Sequence, residues 1–509
     1  MEVYMKRITP VILILVMLVA MPLVAGGDKE AKKAEKIIRI AENVPGLITP
    51  GAWDGQTFSL NSSIYEYLVE INGETGELQP LLATEWSTPD GKQWTFKLRE
   101  GVTFHDGSAF DADDVRFTIE RTQDTAIGHL KKNDFAVVES IETPDKYTVI
   151  LNLKEARPTF IYLMSDYNMA ILSSDYDYAM LGESKPMGTG PFMNKQYIPK
   201  ESIAMVKNPN YWDPTLPKVD QVLIYFVADI EASISMLEAD KVDIVTYVTP
   251  IISNRLEKVD NLTVISPFQE MRLIALNYDE KPWDDARARL AFKYAMDPNV
   301  LAKSVTQMDL GQGTEYNETP IMNLLAEYKE LPLRKRDIAK AKALLAEAGY
   351  PNGVKSELYY ATDHPFSKEM AQTVKELAAP AGIDIQLKGF TRDVYLSQYW
   401  LDVPIMLTGW GGRIDPYMFL SYAFRGGAPW NELHIDDPKV NDLIDKISQE
   451  VDVAKRQTYY DEIQDIFYAE GGLMNLQVPY LVAINTRIID FIQPITFITQ
   501  LKNTDILPK

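Results

Sequence analysis

Residues 356–412, SELYYATDHPFSKEMAQTVKELAAPAGIDIQLKGFTRDVYLSQYWLDVPIMLTGWGG, decide the fold. SELYYATD reads as a strand, PFSKEMAQTVKELAAPAG as a helix, IDIQLKGF as a strand, RDVYLSQYWLD as a helix and VPIMLTGWGG as a strand. Strands alternating with helices in this way predict right-handed βαβ units and a parallel sheet. In open sheets of that kind ligands bind beyond the carboxyl ends of the strands. Those ends fall at residues 362–364 and 410–415, so the chain carries a candidate crevice within its C-terminal half.

Working towards the N-terminus, ASISMLEADKVDIV reads as helical, and SIAMVKNPNYW and QVLIYFV are two alternating runs that follow KPMGTGPF. From residue 81 to 153 the chain is rich in short strands, ending with AVVESIETPD and KYTVILNLKE around a Pro-Asp turn. Within that region residues 83–121, ATEWSTPDGKQWTFKLREGVTFHDGSAFDADDVRFTIER, encode a small α+β scaffold. Trp94, Phe96 and Leu98 alternate with polar residues, Asp90-Gly91 is a hairpin turn signal, and Asp111 followed by Asp114 predicts a capped helix start. Residues 37–46 predict a strand running into a turn, and residues 62–70 a helix. No internal repeat is present.

The chain has 509 residues, 46% of them hydrophobic and 24% charged, enough for large cores and more than one domain. Lys6 and Arg7 precede an apolar run from Val11 to Ala25, followed by Gly26, Gly27 and the charged stretch DKEAKKAEK. This predicts a signal peptide over residues 1–27, because the run is shorter than the roughly 20 residues a spanning helix needs. The formal net charge of −21 is dispersed, which argues against nucleic-acid binding. There is no cysteine, so disulfides, thiolate chemistry, cysteine metal sites and a lipid-modified cysteine are excluded.

The four histidines, at 105, 129, 364 and 434, never pair at ligand spacing, and no catalytic elbow, phosphate loop or dinucleotide fingerprint occurs. Asp111, Asp113 and Asp114 are explained by helix capping, since no calcium-loop glycine or distal glutamate follows. The reading is therefore of a non-enzyme without metal or cofactor.

Residues 83–121 resemble the signature of the family 5 extracellular solute-binding proteins, the oligopeptide, dipeptide and nickel receptors of ABC importers. GTGPF with MVKNPNYWD, LEADKVDIV, ALNYDEKPWDDARARLAFKYAMDPNVL and AKALLAEAGYPNG resemble further blocks of that family in the same order. The resemblance implies an α/β, bilobed, hinged periplasmic-binding-protein-like fold with an extra inserted α+β subdomain. Mapped onto this chain, lobe I takes residues 28–60, 185–267 and 480–509, the inserted subdomain 61–184, and lobe II 268–479. The crossings at 266–272 and 477–482 are expected to form the hinge.

The implied function is an extracytoplasmic receptor that captures a peptide-like solute between closing lobes and delivers it to a membrane permease of an ABC importer. An oligosaccharide or other organic solute is the alternative, and a secreted hydrolase a remote one. The protein is expected to be a monomer in the periplasm, cell envelope or extracellular space. Many members of the family are anchored through an N-terminal cysteine, and Gly26 and Gly27 lie about where it would be, so no anchor of that kind is expected.

The resemblance also picks out the GWGGRIDP loop as ligand-lining. Trp410, flanked by Gly409, Gly411 and Gly412, would present a flat apolar face where backbone can approach a solute, unless it is a core tryptophan. Dipeptide receptors of the family carry an aspartate near this point for the solute's ammonium group, whereas this loop is one residue shorter and offers Arg413. An arginine fork suits a carboxylate or several hydroxyls; alternatively Arg413 pairs with Asp415 to brace the loop. Asn43, Trp53, Gln56 and Phe58 are candidates for the first lobe's wall. Asp363 and His364 read as a turn.

Overall fold

The computed structural model describes residues 35–43, 58–73, 75–175, 186–364, 366–412, 414–494 and 498–508. The predicted signal peptide lies outside them.

The backbone of the molecule is one eleven-stranded mixed sheet. Near the N-terminus β1 (Ile37–Glu42) alternates partly exposed and buried positions at first and is buried throughout from Ile40 to Glu42. The short β2 (Val69–Ile71) and β3 (Leu78–Pro80) pair with each other, and β4 (Ala83–Ser87), β5 (Gln93–Leu98), β6 (Val138–Asp145) and β7 (Thr148–Leu153) form a separate antiparallel sheet in the order β4-β5-β7-β6. The chain then returns to the large sheet with β8 (Phe192–Ile198), β9 (Ser202–Lys207), β10 (Gln221–Phe226) and β11 (Ile244–Val248). Two long strands follow in space: β12 (Leu262–Leu276), and, much later in sequence, β17 (Leu473–Asn485). Between them come β13 (Glu315–Asn317), β14 (Val354–Ala361), β15 (Ile383–Phe390) and β16 (Ile405–Trp410); β18 (Ile488–Ile489) and β19 (Asp505–Ile506) pair near the C-terminus.

The large sheet runs β15-β14-β16-β12-β17-β11-β1-β10-β9-β8, with β13 also on β17. At one end β14, β15 and β16 are parallel, as the helix-strand alternation of 356–412 predicts. At the other end β1 is parallel to β10 and β11. Among the described residues only β12 and β17 serve both ends: β12 pairs with β17 from Leu262 to Ala275, and with β16 from Met271 to Leu276. The pairing shifts register between Ile265 and Phe268, inside the segment expected to act as a hinge. Helices cover both faces near β12, because alternate side chains point to opposite sides. Ile274 and Leu276 pack with Trp283, Phe292 and Val374, while Leu273 and Ala275 pack with Phe419, Ile444 and Ile463.

The helix expected over 62–70 is shifted and shorter. It occupies Phe58–Ile64, and the β-branched Val69 and Ile71 go into β2 instead. The expectation at Asp111 holds in full. Asp111 accepts from Asp113 N at 2.9 Å and donates its own N–H to Asp114 Oδ2 at 2.9 Å, a capping box for the helix Ala112–Gln123. Asp114 also accepts from Ser174 N at 2.8 Å, so Asp111 and Asp114 serve the cap, while the exposed Asp113 gives it only a backbone N–H.

The blocks quoted above as separate motifs meet in space. His105 donates its N–H to Gly188 O at 2.9 Å, and its Nε2 lies 2.9 Å from Gly190 O. Glu66, buried, accepts from Thr189 Oγ1, Tyr211 OH and Trp212 Nε1 at 2.7–3.0 Å. Arg99 stacks over the Trp212 ring at 3.9 Å. The signature at 83–121 and the GTGPF and NPNYWD blocks thus form one joint that holds the small sheet to the large one.

Candidate functional site

Carboxyl ends of parallel strands from both halves converge beside the crossing strands. Tyr247 stands near the end of β11, His364 and Phe366 follow β14, and Gly409 and Trp410 end β16. Arg272 of β12 lies among them and is 3% exposed. Its Nη2 donates to Glu270 Oε2 at 2.6 Å and to the Tyr247 hydroxyl, and its guanidinium lies 5.7 Å from the Phe366 ring centroid. A Cβ on Gly409 would overlap Arg272 Nη1 and come within 2.9 Å of His364 Cε1. The glycine before Trp410 is therefore what gives the guanidinium its room.

Tyr247 adopts φ 66°, the left-handed region, where the pairing of β11 with β17 shifts between Thr246 and Val248. A bulky residue there is strained, and the surrounding contacts must hold it. Its hydroxyl donates to Glu270 Oε2 at 3.2 Å, and its ring lies 5.0 Å from that of Tyr480, which stacks on Phe268 at 4.6 Å.

Trp410 is on the opposite face of β16 from Gly409, and is 8% exposed. Its Nε1 and that of Trp400 both donate to Glu432 Oε1 at 3.1 Å. Its ring meets Phe419 edge-on at 4.7 Å and Trp430 at 5.6 Å. Gly411 is partly buried beside it. Asp415, 4% exposed, caps the helix Pro416–Ala423 by accepting from Tyr417 N at 3.0 Å, and accepts also from Tyr460 OH at 3.2 Å. Burial raises its carboxyl above the ordinary range. Asn43 is exposed directly after β1. Trp53, Gln56 and Arg413 lie outside the described residues, as does the side chain of Phe58, whose backbone starts the helix Phe58–Ile64.

The helix after Trp410 is gripped by residues of the small-sheet region. Arg157 donates to the Tyr417 hydroxyl, the Tyr422 hydroxyl donates to Asp134, and Thr159 hydrogen-bonds Asp415. Lys131 lies 5.6 Å from the centroid of the Tyr422 ring, and Met418 joins the core of the small sheet. Beside the crossing strands a cavity of about 1230 Å³ opens, lined by Ser266, Phe268, Gln269, Glu315, Asn323 and Tyr328 among others.

Two buried carboxyl groups flank this region. Burial pushes Glu432 up to about 7, and Glu42, at the end of β1, up to about 7. A carboxyl held above its ordinary value of 4.5 contributes stability that is complete below about pH 4.5 and lost as pH rises through about 7. Replacing Glu432 by Gln removes that penalty. Relative to the wild type, Glu432→Gln is expected to gain stability between pH 5 and 8, by about 2–3 kcal/mol. Urea unfolding at both pH values checks this, and a difference that stays constant with pH would contradict it.

Arg272, Glu270, Tyr247 and Glu432 were not singled out by sequence. The available signal was a lone ion pair two residues apart in the apolar run FQEMRLIAL, which places both charges on one face of a strand.

A family model described as bacterial extracellular solute-binding proteins, family 5 Middle, matches residues 77–432. The chain belongs to the family 5 extracellular solute-binding proteins, with their bilobed, hinged fold and inserted α+β subdomain. It is 27% identical over 471 residues to the glutathione-binding protein GsiB of Escherichia coli O1:K1 / APEC, covering 89% of this chain and 90% of that one. The periplasmic binding protein DppA of Helicobacter pylori in complex with the peptide STSA superposes with a TM-score of 0.80 at 24% identity, covering 93% of this chain and 98% of that one. AgaA of A. tumefaciens R10 in complex with agropinic acid gives a TM-score of 0.79 at 24% identity, with 93% and 99% covered. The protein is a solute-binding receptor of the ABC-importer type.

Proposed function

We propose that this receptor captures a peptide-like solute by closing lobe II (268–479) onto lobe I (28–60, 185–267 and 480–509) and its inserted subdomain (61–184), then presents it to a membrane permease. The observation that carries the reading is the seam from Arg157, Thr159 and Asp134 to Tyr417, Asp415 and Tyr422, which joins the small-sheet region to the helix directly behind the Trp410 loop. Trp410, Gly411, Arg413 and Asp415 form the lobe II wall, and Asn43, Trp53, Gln56 and Phe58 belong to the opposite wall. The protein acts as a monomer, exported through a signal peptide over residues 1–27 and free of a cysteine-linked lipid. It performs no catalysis.

Closure is a two-state equilibrium, and solute shifts it only by contacts made preferentially in the closed form. Moving it from mostly open to mostly closed takes about 5.5 kcal/mol of differential binding. The seam supplies part of the closed state's own stability. Tyr422→Phe, which removes one hydroxyl from it, is expected to weaken solute affinity about threefold to tenfold through faster release. Stopped-flow release kinetics would show it, and an unchanged off-rate would exclude the seam from closure.

The reading is tested by titrating the protein with di- to pentapeptides and with oligosaccharides, following heat and thermal stability. Stoichiometric binding of peptides without product supports it. Binding confined to oligosaccharides selects the alternative, to which the cluster of Trp400, Trp410 and Trp430 would lend flat apolar faces. Turnover of any compound would establish a hydrolase instead.

A further inference from the structure

Arg272 is a full charge placed where strand ends from both halves meet, yet its donors are incompletely used. Nη2 serves both Glu270 and Tyr247, Nη1 reaches only Met271 O at 3.4 Å, and the buried Nε has no acceptor among the described residues. Leaving such a donor unsatisfied in the interior is costly. Glu270 for its part receives both of its hydrogen bonds, from Tyr247 and from Arg272, at Oε2.

Other features around the pair help to place it. Gly409 makes the space for the guanidinium, and Tyr247 holds a left-handed backbone that brings its hydroxyl to both charged partners. Backbone strain clusters at ligand sites, and a buried donor without an acceptor calls for a partner. Through Tyr247 the pair is linked to the other proposed lobe, since Tyr247 stands on β11 and Arg272 and Glu270 on β12 beyond the register shift.

We infer that Arg272 and Glu270 form the specificity-determining pair for a zwitterionic solute, Arg272 taking its carboxylate on the edge of the guanidinium that carries the unmet Nε and Glu270 taking its ammonium group. This deepens, and rests on, the reading of a peptide-like solute. Charge balance sets the choice of class. Glu270 already neutralises Arg272, so a solute carboxylate alone would leave an uncompensated buried negative charge, whereas a zwitterion adds one charge of each sign. Arginine is suited to the carboxylate because its fork offers several aligned donors. Opening of the lobes would carry Tyr247 away from Arg272 and admit the solute.

The experiment is calorimetric titration of the wild type with a dipeptide in three forms, free, C-terminally amidated and N-acetylated, and with free amino acids and their amides as zwitterions that are not peptides. Amidation and acetylation are each expected to weaken binding about tenfold or more. Arg272→Gln should bind the free and amidated forms equally, and Glu270→Gln the free and acetylated forms equally, while Arg272→Lys retains part of the preference for the acid. These ratios are insensitive to a general loss of stability, which a purely structural pair would produce for every form alike. If peptides fail but free amino acids bind with the same discrimination, the peptide reading falls and this inference stands. Equal binding of acid and amide by the wild type, discrimination that survives Arg272→Gln, or no binding of any zwitterion would overturn it.

Discussion

Trp410→Ala is expected to lower the free energy of unfolding by about 3–5 kcal/mol, in addition to any loss of solute affinity. The indole is nearly fully buried, packs against Phe419 and Trp430, and shares Glu432 Oε1 with Trp400. Truncation therefore opens a cavity and takes one of two indole donors from a carboxyl group that has no exposure at all. Trp410→Phe separates the two contributions. It keeps an aromatic ring and removes only the N–H, so a loss of about 1–3 kcal/mol is expected. Chemical unfolding followed by circular dichroism distinguishes them. A Trp410→Ala variant as stable as the wild type would mean that the indole contributes little to this core.

The second large effect concerns a residue far from the cleft. Gly190→Ala is expected to destabilise the fold by about 3 kcal/mol or more, because overpacking here meets backbone and cannot be relieved by a side-chain rotation. A Cβ at Gly190 would lie 2.6 Å from Ile64 C and O and from Ser63 O. Gly190 O also accepts from Asn208 Nδ2 at 3.1 Å and faces His105 Nε2, so displacing this segment would disturb the joint between the two sheets. A melting temperature within a degree or two of the wild type would show that the joint yields easily. Solute affinity measured well below the melting temperature should change little, since the joint is remote from Arg272 and Trp410 in the sheet order.

Much of the fold is legible because local signals agree with the tertiary outcome. The strand-helix series of residues 356–412 contains the helix-building and strand-building periods explicitly, and β14, β15 and β16 follow it. Asp111 and Asp114 are equally explicit, since a capping box is a contact between residues three apart. The shifted helix at Phe58–Ile64 marks where locality ends. Val69 and Ile71 gain a strand partner in Leu78–Pro80, a choice that apolar periodicity alone does not express.

The candidate site divides in the same way. The GWGG segment announces itself by glycines around a tryptophan, and β16 ends at Trp410 with Asp415 capping the next helix. The direction of the indole is a different matter. Glu432 is 22 residues away in sequence, and only packing brings its carboxyl under Trp400 and Trp410. The seam shows this more sharply, because Arg157 meets Tyr417 across 260 residues and Tyr422 meets Asp134 across 288.

By itself, then, the sequence determined the class of fold, the family and the scaffold segments. The scaffold segments depend on periodicity, capping and turn chemistry, which act between neighbours in the chain; the family and its two-lobed fold came through the resemblance of the motif blocks. Tertiary structure alone decided that β12 and β17 run through both halves, that Arg272 and Glu270 lie where the strand ends converge, and that Gly409 is needed for the guanidinium's space. The physical reason is that burial and charge pairing are set by which distant surfaces exclude water from a group. Arg272 reads in sequence as one basic residue among 51, and becomes singular only once Tyr247, Phe366 and Gly409 have closed around it.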